Sequence, residues 1–115
     1  MNEVFLEGTV ASMALVEYAA SAKQHCVCQL RVVHRNQKQQ TVSELYTINA
    51  WNRLAAWAAQ ALKSGMRVCV KGYLTQRTQQ NVVVTEVTAN RFVIQQATLP
   101  LPNAVPAQAS IPEIA

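Results

Sequence analysis

Hydrophobic and polar residues alternate along much of the first fifty positions, which is the pattern of strands with one buried face. In residues 2–10, Val4, Leu6 and Gly8 alternate with Glu3, Phe5 and Glu7, and the strand extends to about Ala14. Residues 24–33 and 44–50 alternate in the same way and contain several β-branched or aromatic residues. Because side chains on a strand point to opposite faces in turn, these segments predict three amphipathic strands, with a polar loop over residues 36–40.

The periodicity changes after position 50. Over residues 51–63 the apolar side chains recur at spacings of one, three and four, which predicts a helix. Asn52 is the predicted N-cap of this helix, and Gly65 is its predicted stop. Two further alternating runs, residues 66–76 and 82–94, predict a fourth and a fifth strand joined by a glutamine-rich turn.

The predicted order is three strands, one helix and two strands. In a five-stranded Greek-key barrel of the OB type, a helix between strands three and four covers one end of the barrel. The sequence therefore predicts an all-β, five-stranded OB-fold domain over residues 1–96. An incomplete barrel or a split α+β sheet fits the same order. Residues 97–115 contain all four prolines among Ala and Gln residues, and we expect them to form a disordered tail.

The charge of the chain suggests a class of partner. Ten Lys and Arg residues stand against six acids, all of them Glu, which gives a formal net charge of +4. All ten cations lie within the predicted domain. A basic domain of this kind suits a phosphate-bearing partner. The scattered glutamates do not form the oxygen-rich cluster that Mg²⁺ or Ca²⁺ needs.

The cysteines predict a core position rather than a metal site. Cys26 and Cys28 fall on one face of the second strand, a pattern typical of buried thiols. A zinc site needs about four ligands, and of the other metal-binding residue types only His25 and His34 lie near this pair. The third thiol, Cys69, makes the count odd, as is typical of a reducing compartment. We expect no metal and no cofactor.

Sequence motifs of catalysis and targeting point away from an enzyme and from a membrane protein. The chain has no nucleophile elbow, no phosphate-binding loop and no zinc-protease motif, so we expect no enzymatic activity. The first ten residues lack the basic and apolar blocks of a signal peptide, and no stretch is apolar for about 20 residues. We therefore expect a cytoplasmic protein that does not contact a membrane.

The candidate chemistry is concentrated on the outward face of the fourth strand, which carries Arg67, Lys71, Tyr73 and Arg77. Cations beside an aromatic ring suit a polyanion with stackable bases, which indicates single-stranded nucleic acid. The loops on either side of an OB-fold groove supply further contacts. Any one such cation is also typical of a solvated surface. The predicted phosphate contacts are Arg31, Arg35, Lys38, Arg53, Lys71 and Arg77.

Short blocks at matching spacings run from about residue 2 to residue 95. They include Ser43-Glu44-Leu45, Asn52-Arg53-Leu54-Ala55-Ala56 and Lys71-Gly72-Tyr73-Leu74-Thr75-Gln76-Arg77. In these blocks the chain resembles the bacterial single-stranded DNA-binding protein family. The resemblance implies sequence-independent binding of single-stranded DNA in DNA replication, replication restart, repair or recombination.

The same resemblance implies that Trp51 stacks on a base, because it falls where the family has a stacking phenylalanine. It also reveals three losses, since Leu45, Gln79 and a position around Asn36 stand where the family has tryptophans. These losses favour a first alternative, a protein-interaction adaptor of the primosome with weak DNA binding. An RNA-binding OB-fold protein is a second alternative.

Other pieces are similar to primosomal replication protein N, a short branch of the same superfamily. They are Leu6-Glu7-Gly8-Thr9-Val10, His25-Cys26 and His34-Arg35. That branch is usually dimeric and acts in replication restart. The combined resemblance implies a homodimer or a homotetramer, with partners among replication or primosome proteins.

Overall fold

The computed structural model describes residues 1–18 and 23–96, with side chains given for all of these except residues 17, 18 and 96. The predicted tail over residues 97–115 lies outside the described residues. Six elements follow one another along the chain: β1 (Val4–Tyr18), β2 (Lys23–Arg35), β3 (Thr41–Trp51), α1 (Asn52–Ala61), β4 (Arg67–Gln79) and β5 (Val82–Gln96). The predicted order of three strands, one helix and two strands is confirmed.

The strands close into a five-stranded barrel in the order β1-β2-β3-β5-β4, which confirms the predicted OB-type architecture. The first part of β1 pairs with β4, and the rest pairs with β2 after a register shift between Val10 and Ser12. The parallel contact of β3 with β5 covers only two residue pairs, Ile48 with Val87 and Asn49 with Thr88. The pairing of β3 with β5, which closes the barrel, is therefore its shortest.

Strands β2 and β3 are longer than the alternation predicts, because a compact turn joins them. The Asn36 side-chain oxygen accepts the backbone N–H groups of Lys38 and Gln40, at 2.9 and 3.0 Å. Gln39 adopts a positive φ of 62° in the same turn. This local bonding brings Arg35 and Thr41 opposite each other, so the pairing continues to the turn.

The helix differs from its prediction at both ends. The N-cap position is Trp51, in extended backbone and without a side-chain cap hydrogen bond, so the prediction of Asn52 as the N-cap is wrong. Asn52 is instead the first helical residue. At the other end α1 stops at Ala61 rather than near Gly65. Leu62 turns into the core, where it is only 1% exposed, and that burial ends the helix early.

Inward-facing side chains of all five strands and of α1 form one apolar core. Cys26 and Cys28 lie in it, as their spacing predicts, and His25 projects to the opposite face of β2. Burial raises the pKa of the Cys28 thiol to about 12. Within residues 1–18 and 23–96, no cluster of three or more His, Cys, Asp and Glu residues is placed to hold a metal ion. Nor does this part of the chain contain a helix of the length and apolarity that crossing a membrane requires.

Candidate nucleic-acid interface

A groove of about 670 Å³ opens between the outer faces of β2 and β3 and the hairpin of β4 and β5. We call it the Trp51 groove. It brings together three of the nucleic-acid contacts predicted from the sequence, namely Trp51, Tyr73 and Arg77. The full lining is Val16, His25, Val27, Asn49, Trp51, Tyr73, Thr75, Gln76, Arg77, Glu86 and Thr88.

The two aromatic rings of the groove are partly accessible. Trp51 is 40% exposed and Tyr73 is 36% exposed. The Trp51 ring lies parallel to the His25 ring, with the centroids 4.0 Å apart and the planes inclined by 7°. Tyr73 lies across the groove on β4, where it pairs with Thr88 of β5. The groove therefore offers aromatic surface on both walls, an arrangement that suits stacked bases.

Arg77 is bound to a buried carboxylate in the floor of the groove. Its Nε donates to Glu86 Oε1 at 3.1 Å, and one Nη donates to Glu86 Oε2 at 3.0 Å. The Glu86 side chain is 8% exposed, whereas that of Arg77 is 52% exposed. This forked ion pair neutralises Arg77 locally and leaves part of the guanidinium facing solvent.

Glu86 also belongs to a series of hydrogen-bonded polar side chains that extends from β5 through β3 to β2. Asn49 Nδ2 donates to Glu86 Oε1 at 2.7 Å, and His25 Nε2 lies 2.7 Å from Asn49 Oδ1. A carboxylate whose proton is lost can only accept, so the Asn49 amide must present its nitrogen to Glu86 and its oxygen to His25. His25 therefore donates from Nε2. We call Arg77, Glu86, Asn49 and His25 the groove relay.

Three of the predicted phosphate contacts lie further along the outer face of β2 and its turn. Arg31 and Arg35 share a face with His25, because all three occupy alternate positions of one strand. Arg31 is six positions beyond His25, which corresponds to about 20 Å along the strand. Both arginines make only single hydrogen bonds, to Ser43 and to the Gln39 carbonyl, each at 3.2 Å. Lys38 is exposed in the turn.

The remaining two predicted contacts lie outside the groove. Arg53 is exposed in the first turn of α1, two residues after Trp51. Lys71 faces a second concavity, where its Nζ lies 5.8 Å from the centroid of the Phe5 ring. A register shift between Lys71 and Gly72 separates it from Tyr73. The unpaired residue of this shift, Asn90, lies in β5, and Lys71 and Tyr73 both stay on the outward face of β4 with Gly72 buried between them. They nevertheless line different concavities.

The sequence model of the Single-strand binding protein family matches residues 1–99, which is most of the chain. The chain belongs to the single-strand binding protein family. No curated protein matches the sequence significantly.

Two solved structures illustrate the fold that this family member shares. A deletion mutant of the single-stranded DNA binding protein from Thermus aquaticus matches with a TM-score of 0.67 and 18% identity, over 84% of this chain and 51% of that chain. The small single-stranded DNA-binding protein from Streptomyces coelicolor matches with a TM-score of 0.65 and 21% identity, over 81% of this chain and 91% of that chain. The chain thus spans about half the length of the Thermus protein.

Two positions at which the sequence lacks the family's tryptophans remain on the surface. Leu45 is 53% exposed and shares the outer face of β3 with Trp51. It lines a separate, mostly aliphatic concavity with Leu74 and Val84. Gln79 is exposed at the end of β4. Other exposed aromatic residues, Phe5, Tyr46 and Trp57, lie outside the Trp51 groove, whereas Trp51 and Tyr73 line it together.

The sequence did not select Glu86, Asn49 or His25 as site residues. A weak signal was present at Asn49, which is the only amide in an otherwise apolar run from Ile48 to Trp51. A polar residue in a run that enters the core must find a partner, because an unpaired buried amide is costly. Its partners lie 37 and 24 residues away in the sequence, so no local pattern could reveal them.

Glu86 gives the protein a predicted sensitivity to acid. The hydrogen bonds from Arg77 are the largest cause that holds the pKa of Glu86 below its ordinary value of 4.5; burial opposes them, and the Asn49 amide adds to them. A carboxyl whose pKa is lower in the folded state stabilises the fold above its unfolded pKa and loses that contribution as the pH falls through the folded pKa. We therefore expect the Glu86 contribution to be complete above about pH 4.5 and to be lost progressively as the pH falls from there through the lower folded pKa.

Thermal unfolding of the wild type and of Glu86→Gln between about pH 6 and about pH 3 measures this contribution. Glu44, whose pKa is also lowered, is present in both proteins and cancels in the comparison. The wild type should lose more stability than the variant over this range. Parallel curves would show that ionisation of Glu86 contributes nothing to the stability of the fold.

Proposed function

We propose that this chain binds single-stranded DNA without sequence specificity, using the Trp51 groove and the cationic outer face that continues from it. The observation that carries the proposal is the groove itself, in which two partly exposed rings, Trp51 and Tyr73, face a common space. Membership of the single-strand binding protein family supports it. Stacking does not depend on base identity, because every base has a π-face.

In this proposal the bases enter the groove and the phosphates follow the cations outside it. Trp51 and Tyr73 stack on bases. Arg31, Arg35, Lys38 and Arg53 are exposed and hold phosphates. Arg77 is already paired with Glu86, so its charge is largely offset in the groove. Lys71 lines a separate concavity and contacts DNA only if the bound DNA extends beyond the groove.

The biological setting is inferred from the family. We propose a cytoplasmic role in DNA replication, replication restart, repair or recombination, performed by a homodimer or a homotetramer together with replication or primosome proteins. The two solved structures described above are of proteins named for single-stranded DNA binding, in accord with this setting. Binding without catalysis suffices for such a role, so we propose no enzymatic activity.

A salt titration tests the proposal. The affinity for an oligomer of dT, followed by intrinsic tryptophan emission, should fall as salt is raised, because each neutralised phosphate releases a counterion. Contacts from Arg31, Arg35, Lys38 and Arg53 predict a slope of log affinity against log salt of about −3, at roughly −0.7 for each phosphate on a single strand. Tryptophan emission should be quenched as bases stack.

Absence of binding at low salt would overturn the proposal and leave the adaptor as the better alternative. A specific observation favours that alternative, because the exposed aliphatic residues Leu45 and Leu74 line a concavity suited to apolar contact. Tighter binding of an RNA oligomer of equal length in competition would favour the RNA-binding alternative instead.

A further inference from the structure

We propose that the groove relay is a positioning device for the Trp51 ring: Glu86 and Asn49 fix His25, and His25 holds the tryptophan in the orientation that accepts a base. This inference rests on the proposed function. It gives Glu86, Asn49 and His25, which line the groove, a role in orienting Trp51, and it makes Arg77 part of the protein's own support rather than a phosphate contact.

The relay connects four of the five strands at one place. Arg77 lies on β4, Glu86 on β5, Asn49 on β3 and His25 on β2. The four side chains are joined by hydrogen bonds of 2.7 to 3.1 Å without a gap. The relay crosses the barrel beside the two-pair contact of β3 with β5, where Asn49 itself pairs with Thr88. Side-chain bonds therefore reinforce the shortest backbone pairing of the barrel.

The direction of each hydrogen bond is determined by the chemistry of Glu86. Because the carboxylate accepts from both Arg77 and Asn49, the Asn49 amide cannot rotate without placing its oxygen against another acceptor. His25 is consequently held by its Nε2 and cannot turn freely. A ring fixed in this way keeps its plane 7° from that of Trp51.

A fixed tryptophan should bind a base more tightly than a mobile one. Ordering a side chain on binding costs conformational free energy, and a ring that is already oriented avoids that cost. Trp51 is 40% exposed, so a large part of the residue is accessible to a base while the rest is covered by protein. The His25 ring supplies support over the parallel stack of 4.0 Å.

The pairing of Arg77 with Glu86 determines how Arg77 affects DNA binding. Two of its N–H groups are directed at Glu86, and the buried carboxylate balances its charge. A cation that neutralises a phosphate adds about 0.7 to the magnitude of the salt slope on a single strand. An arginine that acts through the relay changes the affinity and leaves the slope unchanged.

A double-mutant cycle between Asn49→Leu and Trp51→Ala tests the proposal. Asn49→Leu keeps the approximate volume and removes both bonds of the amide, while the Arg77–Glu86 pair remains. In the otherwise wild-type protein we expect dT-oligomer affinity to fall by about fivefold, the lower end of what a stacked base contributes. In the Trp51→Ala background the same substitution should have no further effect, because Asn49 acts only through the ring.

A spectroscopic measurement separates positioning from general damage. In a Trp57→Phe background, Trp51 is the only tryptophan, and its near-ultraviolet circular dichroism reports how firmly the ring is held. Asn49→Leu should weaken this signal while the far-ultraviolet spectrum stays the same. If Asn49→Leu does not fold, His25→Ala removes the supporting ring at a half-buried position and should give the same non-additivity with Trp51→Ala.

The outcomes are distinct. If the wild type does not bind dT, the proposed function fails. If it binds but the effects of Asn49→Leu and Trp51→Ala on affinity simply add, the positioning role is overturned and the proposed function stands.

Arg77→Gln provides the last comparison. An unchanged salt slope supports the role of Arg77 in the relay, whereas a slope smaller in magnitude by about 0.7 shows a direct phosphate contact.

Discussion

Replacing Trp51 by alanine is expected to weaken binding of single-stranded DNA by about 5- to 150-fold, which corresponds to the roughly 1–3 kcal/mol that one stacked base contributes. The ring is 40% exposed and lines the groove opposite Tyr73, so its removal takes away base-stacking surface rather than core volume. We expect the melting temperature to change by only a few degrees. Titration with a dT oligomer at fixed salt, together with thermal unfolding, measures both quantities.

The chain provides a matched control in its other tryptophan. Trp57 is 41% exposed, almost the same as Trp51, but it lies on α1 and its ring is 6.2 Å from that of Phe92. It does not line the groove. Trp57→Ala should therefore leave DNA affinity unchanged. A loss of affinity equal in the two variants would argue against stacking by Trp51, and unfolding of Trp51→Ala would show that this ring is part of the core.

Gly72→Ala is expected to cost about 3 kcal/mol of unfolding free energy, the upper end of the range for overpacking a filled site. A Cβ at this position would overlap the backbone oxygen of Thr88 and approach the backbone of Ala89. Backbone atoms in a paired strand cannot move aside as a flexible side chain can. For a domain of this size the melting temperature should fall by about 15 °C, measured by circular dichroism.

Gly65→Ala is the appropriate control for Gly72→Ala. Gly65 is exposed in the turn before β4 and has a positive φ of 94°, so an alanine there is strained without meeting the paired strands. Its expected cost is about 1 kcal/mol, the typical magnitude for a left-handed non-glycine residue. Equal losses for the two variants would show that conformational strain, rather than close approach of β4 to β5, explains the need for glycine at position 72.

The alternation of residue types was sufficient to predict the barrel strands. In β2, Cys26, Cys28 and Leu30 are buried and their neighbours are not, because one face of each strand packs on the core while the other meets solvent. The boundaries were predicted less well. Hydrogen bonds of the Asn36 turn lengthen β2 and β3. Burial of Leu62 shortens the helix. Neither effect can be predicted from the periodicity of apolar residues.

By itself, the sequence determined the element order, the buried faces of β2 and β4 and the types of residue available for binding DNA, because these follow from local alternation and composition. Only the tertiary structure decided which of those residues meet. It placed Tyr73 and Trp51 in one groove, placed Lys71 in a separate concavity, and paired Arg77 with Glu86. Barrel closure brings together side chains from strands far apart in the chain, and no local pattern encodes the distances between them.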